Sequence, residues 1–242
     1  MAGRTLIFDL DDTLVQTNYK YRISIGHAYA VVAEAIVANS PDLCPFVNVL
    51  RDVWKEVLKK TKYTKMLWPE TLKMTYRYFC DENWVKADAA VESRLHDIAM
   101  KVFEDDFPDT RGTDEVTRFL KERGDTLILI TCGEEKTQFP KLRGKPWVDR
   151  FDPIYYELEG KEGRYEALKK ELDPLKTFGV GDSLERDAEP FKGLGRFLLL
   201  DPGPFDVVDL SSMELEPYIR LIKGLPDIIR DYKRLERADY WG

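Results

Sequence analysis

Short uninterrupted apolar runs constrain this chain most. Thr5-Leu6-Ile7-Phe8 ends at Asp9, and Thr126-Leu127-Ile128-Leu129-Ile130 ends at Thr131. Pro153-Ile154-Tyr155-Tyr156, Thr177-Phe178-Gly179-Val180 and Arg196-Phe197-Leu198-Leu199-Leu200 follow. Runs this short, with no polar residue alternating inside them, suit strands covered on both faces, as in a parallel sheet. Helical spacing fills the gaps. Val116, Phe119 and Leu120 recur within Asp114 to Arg123, which Gly124 stops, and Tyr165, Leu168 and Leu172 repeat the pattern. Strand and helix in alternation predict an α/β fold, a doubly wound, mostly parallel sheet.

Between Gln16 and Phe107 no strand-like run occurs. Amphipathic stretches occupy Ile23 to Ala38, Phe46 to Lys60, Pro69 to Cys80 and Val85 to Phe103, with breaks at Leu43-Cys44-Pro45 and Leu67-Trp68-Pro69. A connection this long after a first strand reads as an inserted helical domain. The expected division is a core of residues 1–15 and 108–242 and a helical insert of 16–107. The last stretch, Leu215 to Trp241, reads as mostly helical.

Composition narrows the functional classes. With 37 Lys and Arg against 44 Asp and Glu, the formal charge is −7, which disfavours a nucleic-acid partner. Hydrophobic residues make up 43% of the chain, enough for a packed core, yet no run reaches the ~18 residues of a membrane span. The N-terminus lacks a secretory pattern, and the three cysteines, Cys44, Cys80 and Cys132, suggest neither a disulfide framework nor a zinc site. A cytoplasmic protein is expected, a monomer or homodimer without a membrane partner.

Chemistry concentrates where strands end. Asp9 and Asp11 straddle one residue after the first apolar run, at the end of a strand where open α/β sheets place their ligands. One carboxylate there suits nucleophilic attack and the second suits proton transfer; a turn with a helix cap accounts for the same residues equally well. Gly181-Asp182 follows another buried run, with Asp187 five residues on, and carboxylate oxygens are what Mg²⁺ prefers, although capping again explains them. Thr131-Cys132-Gly133 places a hydroxyl and backbone N–H groups at a strand end, which suits an anion, although threonine is common there.

Taken together, these three constellations resemble the haloacid dehalogenase-like hydrolase superfamily. Its first motif, DxDx(T/V), is met by Asp9, Asp11 and Thr13; its second by Thr131; its fourth, GDxxxxD, by Gly181, Asp182 and Asp187. Gly133, Gln138, Leu142, Phe151-Asp152 and Ile154 follow the family's rhythm. The third-motif lysine is best matched by Lys161, although Glu162 follows it where the family often has proline; Lys145-Pro146 has the dipeptide but precedes the third strand.

The resemblance implies a Rossmann-like core with a helical type-one cap. It implies a Mg²⁺-dependent phosphatase of a small phosphorylated substrate. Asp9 would attack phosphorus, and Asp11 would protonate the leaving alcohol and then activate water. Asp9, Asp182 and the Asp11 carbonyl would hold Mg²⁺. Thr131 and the amides of Cys132 and Gly133 would bind the phosphoryl oxygens, Lys161 would neutralise them, and Asp187 would orient Lys161 or metal-bound waters. Family dehalogenases lack the second aspartate, because a halide needs no proton, so Asp11 favours a phosphoryl substrate. Thr17, Asn18, Tyr19 and the lysines Lys59, Lys60, Lys62 and Lys65 are candidate substrate contacts, although a lysine run is usually a solvated face. A phosphomutase, a phosphonate-cleaving relative and a non-catalytic interaction protein are the alternatives.

Overall fold

The computed structural model describes residues 3–36, 45–104, 107–201 and 215–241. Leu43, Cys44 and the end of the first expected helix, Val37 and Ala38, lie outside them. The described chain divides into two compact units, residues 1–16 with 107–242, and residues 17–106.

The first unit is built on a six-stranded parallel sheet. Its strands are β1 (Thr5–Phe8), β2 (Thr126–Cys132), β3 (Ile154–Glu157), β4 (Thr177–Gly181), β5 (Arg196–Leu200) and β6 (Ile219–Ile222), in the order β3-β2-β1-β4-β5-β6. β1 is central, with Phe8 opposite both Leu129 of β2 and Val180 of β4. The apolar runs feed both faces, as period-2 geometry requires. Leu6 and Phe8, Leu127 and Leu129, Phe178 and Val180, and Leu198 and Leu200 enter one core, which Val116, Leu120 and Trp147 complete. Ile7, Ile128, Ile130, Phe197 and Leu199 enter the other, with Tyr165 and Phe191.

The structure corrects the reading of the C-terminal stretch. Leu215 to Trp241, expected to be mostly helical, holds β6 before its short helix. Ile219-Arg220-Leu221-Ile222 is only four residues long and lies at the sheet edge, where two of its side chains are half-buried. Ile219 enters one core and Ile222 the other, but Arg220 interrupts the run and leaves no continuous apolar signature.

The helices of the first unit are α5 (Thr113–Glu122), α6 (Glu135–Leu142), α7 (Glu162–Leu168), α8 (Glu189–Phe191) and α9 (Pro226–Asp231). The second unit carries α1 (Asn18–Ile36), α2 (Phe46–Thr61), α3 (Leu67–Glu82) and α4 (Ala89–Met100) and encloses its own core of Val31, Val32, Phe46, Leu72, Tyr76, Phe79 and Leu95 among others. α4 starts later than the expected Val85 because Asp88 caps it, accepting from the Ala90 N–H at 2.8 Å.

Candidate active site

Parallel strands all deliver their C-terminal ends to one edge of the sheet. At β1 the chain order turns from one direction to the other, since β2 lies on one side and β4 on the other. That switch point opens a crevice beyond the strand ends. Asp9 and Asp11 leave β1 there, Thr131 and Cys132 end β2, and Asp182 follows β4. Lys161 arrives from the connection after β3, immediately ahead of α7, and Asp187 sits in a single π-helical turn over Leu184–Ala188.

Local geometry after β1 explains how two carboxylates share this edge. The amides of Thr13, Leu14 and Val15 all donate to the Leu10 carbonyl, and Asp12 takes a left-handed φ of 62°. Aspartate tolerates that conformation better than most residues. The compact turn brings the Thr13 hydroxyl onto Asp9 Oδ2 at 3.2 Å.

Lys161 ties the carboxylates together. Its Nζ donates to Asp9 Oδ1 at 2.5 Å and to Asp187 Oδ1 at 2.5 Å, and its residue is 2% exposed. Asp187 Oδ2 accepts from the Ser183 N–H at 3.0 Å, so both oxygens of Asp187 are engaged. A bare Gly181 makes this possible, because a Cβ there would lie 2.7 Å from Asp187 Oδ2.

Charge is unbalanced at the site. Carboxylate oxygens of Asp9, Asp182 and Asp187 lie within 4.8 Å of one another. One buried ammonium, Lys161, is paired with Asp9 and Asp187, and the Arg186 guanidinium acts on Asp182. Burial pushes Asp9 up to about 7, with Asp187 and Asp11 adding to the rise and Lys161 opposing it. Burial and then Asp187 hold Asp182 well above the usual carboxylate range, and Asp182 accepts no hydrogen bond among the described residues. Burial opposes the charge on Lys161, but Asp187 and Asp9 outweigh it and raise its pKa well above an ordinary lysine's. A cluster of oxygen donors with excess negative charge fits a hard divalent cation.

The β2 edge is polar in a different way. Thr131 Oγ1 accepts from Gln138 Nε2 at 3.0 Å, and its own proton has no acceptor among the described residues. The Gly133 N–H, expected to face an anion, instead donates to the Glu157 carbonyl at 2.8 Å. That hydrogen bond extends the pairing of β2 with β3 past Cys132 and takes the amide out of the cradle. Gly133 has a φ of 140° and a Cβ there would stand 2.8 Å from Gln138 Nε2, so its lack of a side chain makes room for Gln138. Burial pushes the Cys132 thiol up to about 12, which leaves it a poor nucleophile.

Two polar groups at the edge of the site carry no role in the sequence reading. Lys141 Nζ donates to Asp11 Oδ1 at 2.6 Å and Oδ2 at 2.7 Å, and Gln138 Nε2 reaches Asp11 Oδ2 at 3.1 Å. The available signal was their spacing: three apart, they share one face of α6.

A family model described as haloacid dehalogenase-like hydrolase matches residues 4–195. No curated protein sequence gives a significant match. Among solved structures, a haloacid dehalogenase-like family hydrolase from Xanthomonas campestris is 19% identical and superposes with a TM-score of 0.75, over 100% of this chain and 95% of that one. A predicted phosphoglycolate phosphatase from Haemophilus somnus is 17% identical, TM-score 0.61, over 95% of this chain and 98% of that one. An L-2-haloacid dehalogenase from Xanthobacter autotrophicus is 13% identical, TM-score 0.58, over 96% and 98%. Identities this low speak to the fold alone, and the family rests on the sequence match, which runs from the strand before Asp9 to beyond Asp187. The chain belongs to the haloacid dehalogenase-like hydrolases.

Proposed function

We propose that this hydrolase is a Mg²⁺-dependent phosphatase of a small phosphorylated metabolite and works through an aspartyl-phosphate intermediate. One observation carries the reading: two carboxylates, Asp9 and Asp11, stand at the end of the central strand, and each has its own lysine. An attacking carboxylate alone serves to displace a halide. A second one supplies the proton that an alkoxide leaving group needs and a halide does not.

Asp9 attacks phosphorus in this scheme. Its Oδ–P bond forms as the P–O ester bond breaks, and the departing oxygen takes a proton from Asp11. Asp11 then removes a proton from water, whose oxygen forms a bond to phosphorus as the Asp9–phosphorus bond breaks. Lys161 lies against Asp9 and is charged, so it offsets negative charge on the transferring group. Thr131 offers its hydroxyl proton to a phosphoryl oxygen, and Cys132 offers its amide. Asp187 positions Lys161. Asp9 and Asp182, with the Asp11 carbonyl, would hold Mg²⁺, which when bound supplies the positive charge that lets a phosphoryl dianion approach several carboxylates.

Hydrolysis of p-nitrophenyl phosphate with and without EDTA tests the reading. Turnover should require Mg²⁺ and fall to background in Asp9→Asn, a nearly isosteric change. Chloride release from 2-chloropropionate without phosphatase activity would overturn it in favour of a dehalogenase. A screen of sugar phosphates, phosphoglycolate, nucleotides and phosphoamino acids then identifies the substrate class.

A further inference from the structure

Lys141 is buried at 4% exposure on α6, and its ammonium lies 5.5 Å from the Phe107 ring centroid. Burying a lysine is costly unless it is paired. Its carboxylate partner is Asp11, gripped through both oxygens at 2.6 and 2.7 Å. Gln138, one turn earlier on α6, adds a third hydrogen bond to Asp11, and the same Nε2 lies within reach of Thr131 Oγ1 and the Cys132 carbonyl. Thus α6 joins the ends of β1 and β2 through side chains alone. Lys161 serves Asp9 in the same way from the other side. Two lysines from different elements therefore hold apart two carboxylates that stand two residues apart.

We propose that Lys141 is a positioning residue that fixes the Asp11 carboxylate for proton transfer, with Gln138 setting the rotation of the same carboxylate. The inference rests on the phosphatase reading given above. A carboxylate two bonds from the backbone has free rotation unless it is held, and proton transfer demands hydrogen-bond reach to the leaving oxygen. Lys141 restrains Asp11 without touching substrate. Its removal therefore penalises leaving groups in proportion to their need for a proton.

Leaving-group dependence is the measurement. In Lys141→Met, kcat for an alkyl phosphate should fall by about 10²-fold, the scale of general acid catalysis. For p-nitrophenyl phosphate, whose phenolate departs unprotonated, it should fall less than about 5-fold in the first, phosphorylating step, read as the burst of p-nitrophenol. KM for both should change little, and Lys141→Arg should restore most of the alkyl phosphate activity. An activity-independent readout comes from ¹⁵N NMR of the protein without metal ion. The Lys141 ammonium should give a resolved, slowly exchanging signal that is lost in Asp11→Asn. An equal loss for both ester classes, or no loss, overturns the positioning role while leaving the phosphatase reading intact. So does an NMR signal that survives Asp11→Asn. If the wild type hydrolyses no phosphate ester, both readings fall, even if the ammonium signal is present. Thermal unfolding of each variant separates a positioning effect from loss of fold, and Lys141→Gln provides a smaller change should the methionine variant fail to fold.

Discussion

A buried lysine between two buried carboxylates is the most consequential residue-scale feature of this chain. Lys161 has two partners at 2.5 Å and almost no solvent. Replacing it with methionine keeps volume but leaves Asp9 and Asp187 uncompensated beside Asp182. Breaking a buried pair in this way typically costs about 3–5 kcal/mol. We expect Lys161→Met to lose that much stability in urea unfolding without added metal and to lose the proposed phosphatase activity entirely. A stability change below about 1 kcal/mol would mean that water reaches these carboxylates. Gly181→Ala tests the same ion pair from behind. Its Cβ would approach Asp187 Oδ2 to 2.7 Å and Asp187 Cβ to 2.8 Å, forcing Asp187 off Lys161. Overpacking of this kind costs about 1–3 kcal/mol. The variant should fold, bind substrate with a near-normal KM, and show a kcat reduced at least about 10-fold. Activity equal to wild type would remove Asp187 from the role of holding Lys161.

Elements reveal how far the sequence was legible. Strands covered on both faces announced themselves: β1, β2, β4 and β5 are short apolar runs, and the acids that terminate β1 and β4 stand where a parallel sheet collects its strand ends. Lys161 followed from the family motif, not from periodicity, since nothing in a lone lysine signals burial. β6 and α6 were illegible for different reasons. β6 is a four-residue edge strand whose apolar residues are interrupted by Arg220, and α6 carries Pro140 and charged residues on a helix whose buried face is largely polar, through Gln138 and Lys141. The segment after β6 is held by polar contacts as well. Asp231, 6% exposed, accepts from Tyr240 Oη at 2.9 Å and from Arg230 Nη2 at 2.8 Å. The Arg230 hydrogen bond, followed by that of Tyr240, holds the Asp231 carboxyl below the usual range. A depressed carboxyl contributes stability above its unfolded pKa near 4 and loses it as pH falls through the folded value. Arg230 is largely exposed, so its share is small, and Tyr240 supplies the protected contact. Asp231→Asn should therefore cost about 1–2 kcal/mol at pH 7, and the cost should shrink steadily as the pH is taken below about 4, as read from urea unfolding across that range. A cost independent of pH would show that the carboxylate charge is irrelevant to the C-terminal contacts.

At the scale of the whole molecule, the chain builds separate cores from interleaved sequence. Residues 17–106 close on Val31, Phe46, Leu72, Phe79 and Leu95, whereas the cores of the other unit draw on residues before 17 and after 106. No core residue is shared between the units among the described residues. The two chain crossings are pinned within the sheet-bearing unit: Gln16 N–H donates to the Pro108 carbonyl at 2.8 Å, and Thr110 N–H to the Leu14 carbonyl at 2.9 Å. Asp109 is anchored there by Trp147 Nε1 at 3.0 Å and Lys145 Nζ at 2.9 Å. Separate cores mean that damage to one need not propagate, and unfolding is expected to depart from a single transition. Phe79→Ala supplies the test, because Phe79 is 2% exposed and stacks on Phe46 with ring centroids 5.7 Å apart. Emptying such a site costs about 3–5 kcal/mol. Native-state hydrogen exchange should show amides of α1, α3 and α4 losing protection by that amount, while amides of β1, β2 and β4 keep theirs. Equal loss in the sheet would show that the two cores unfold as one, and that the insert contributes stability to the unit that carries Asp9, Asp182 and Lys161.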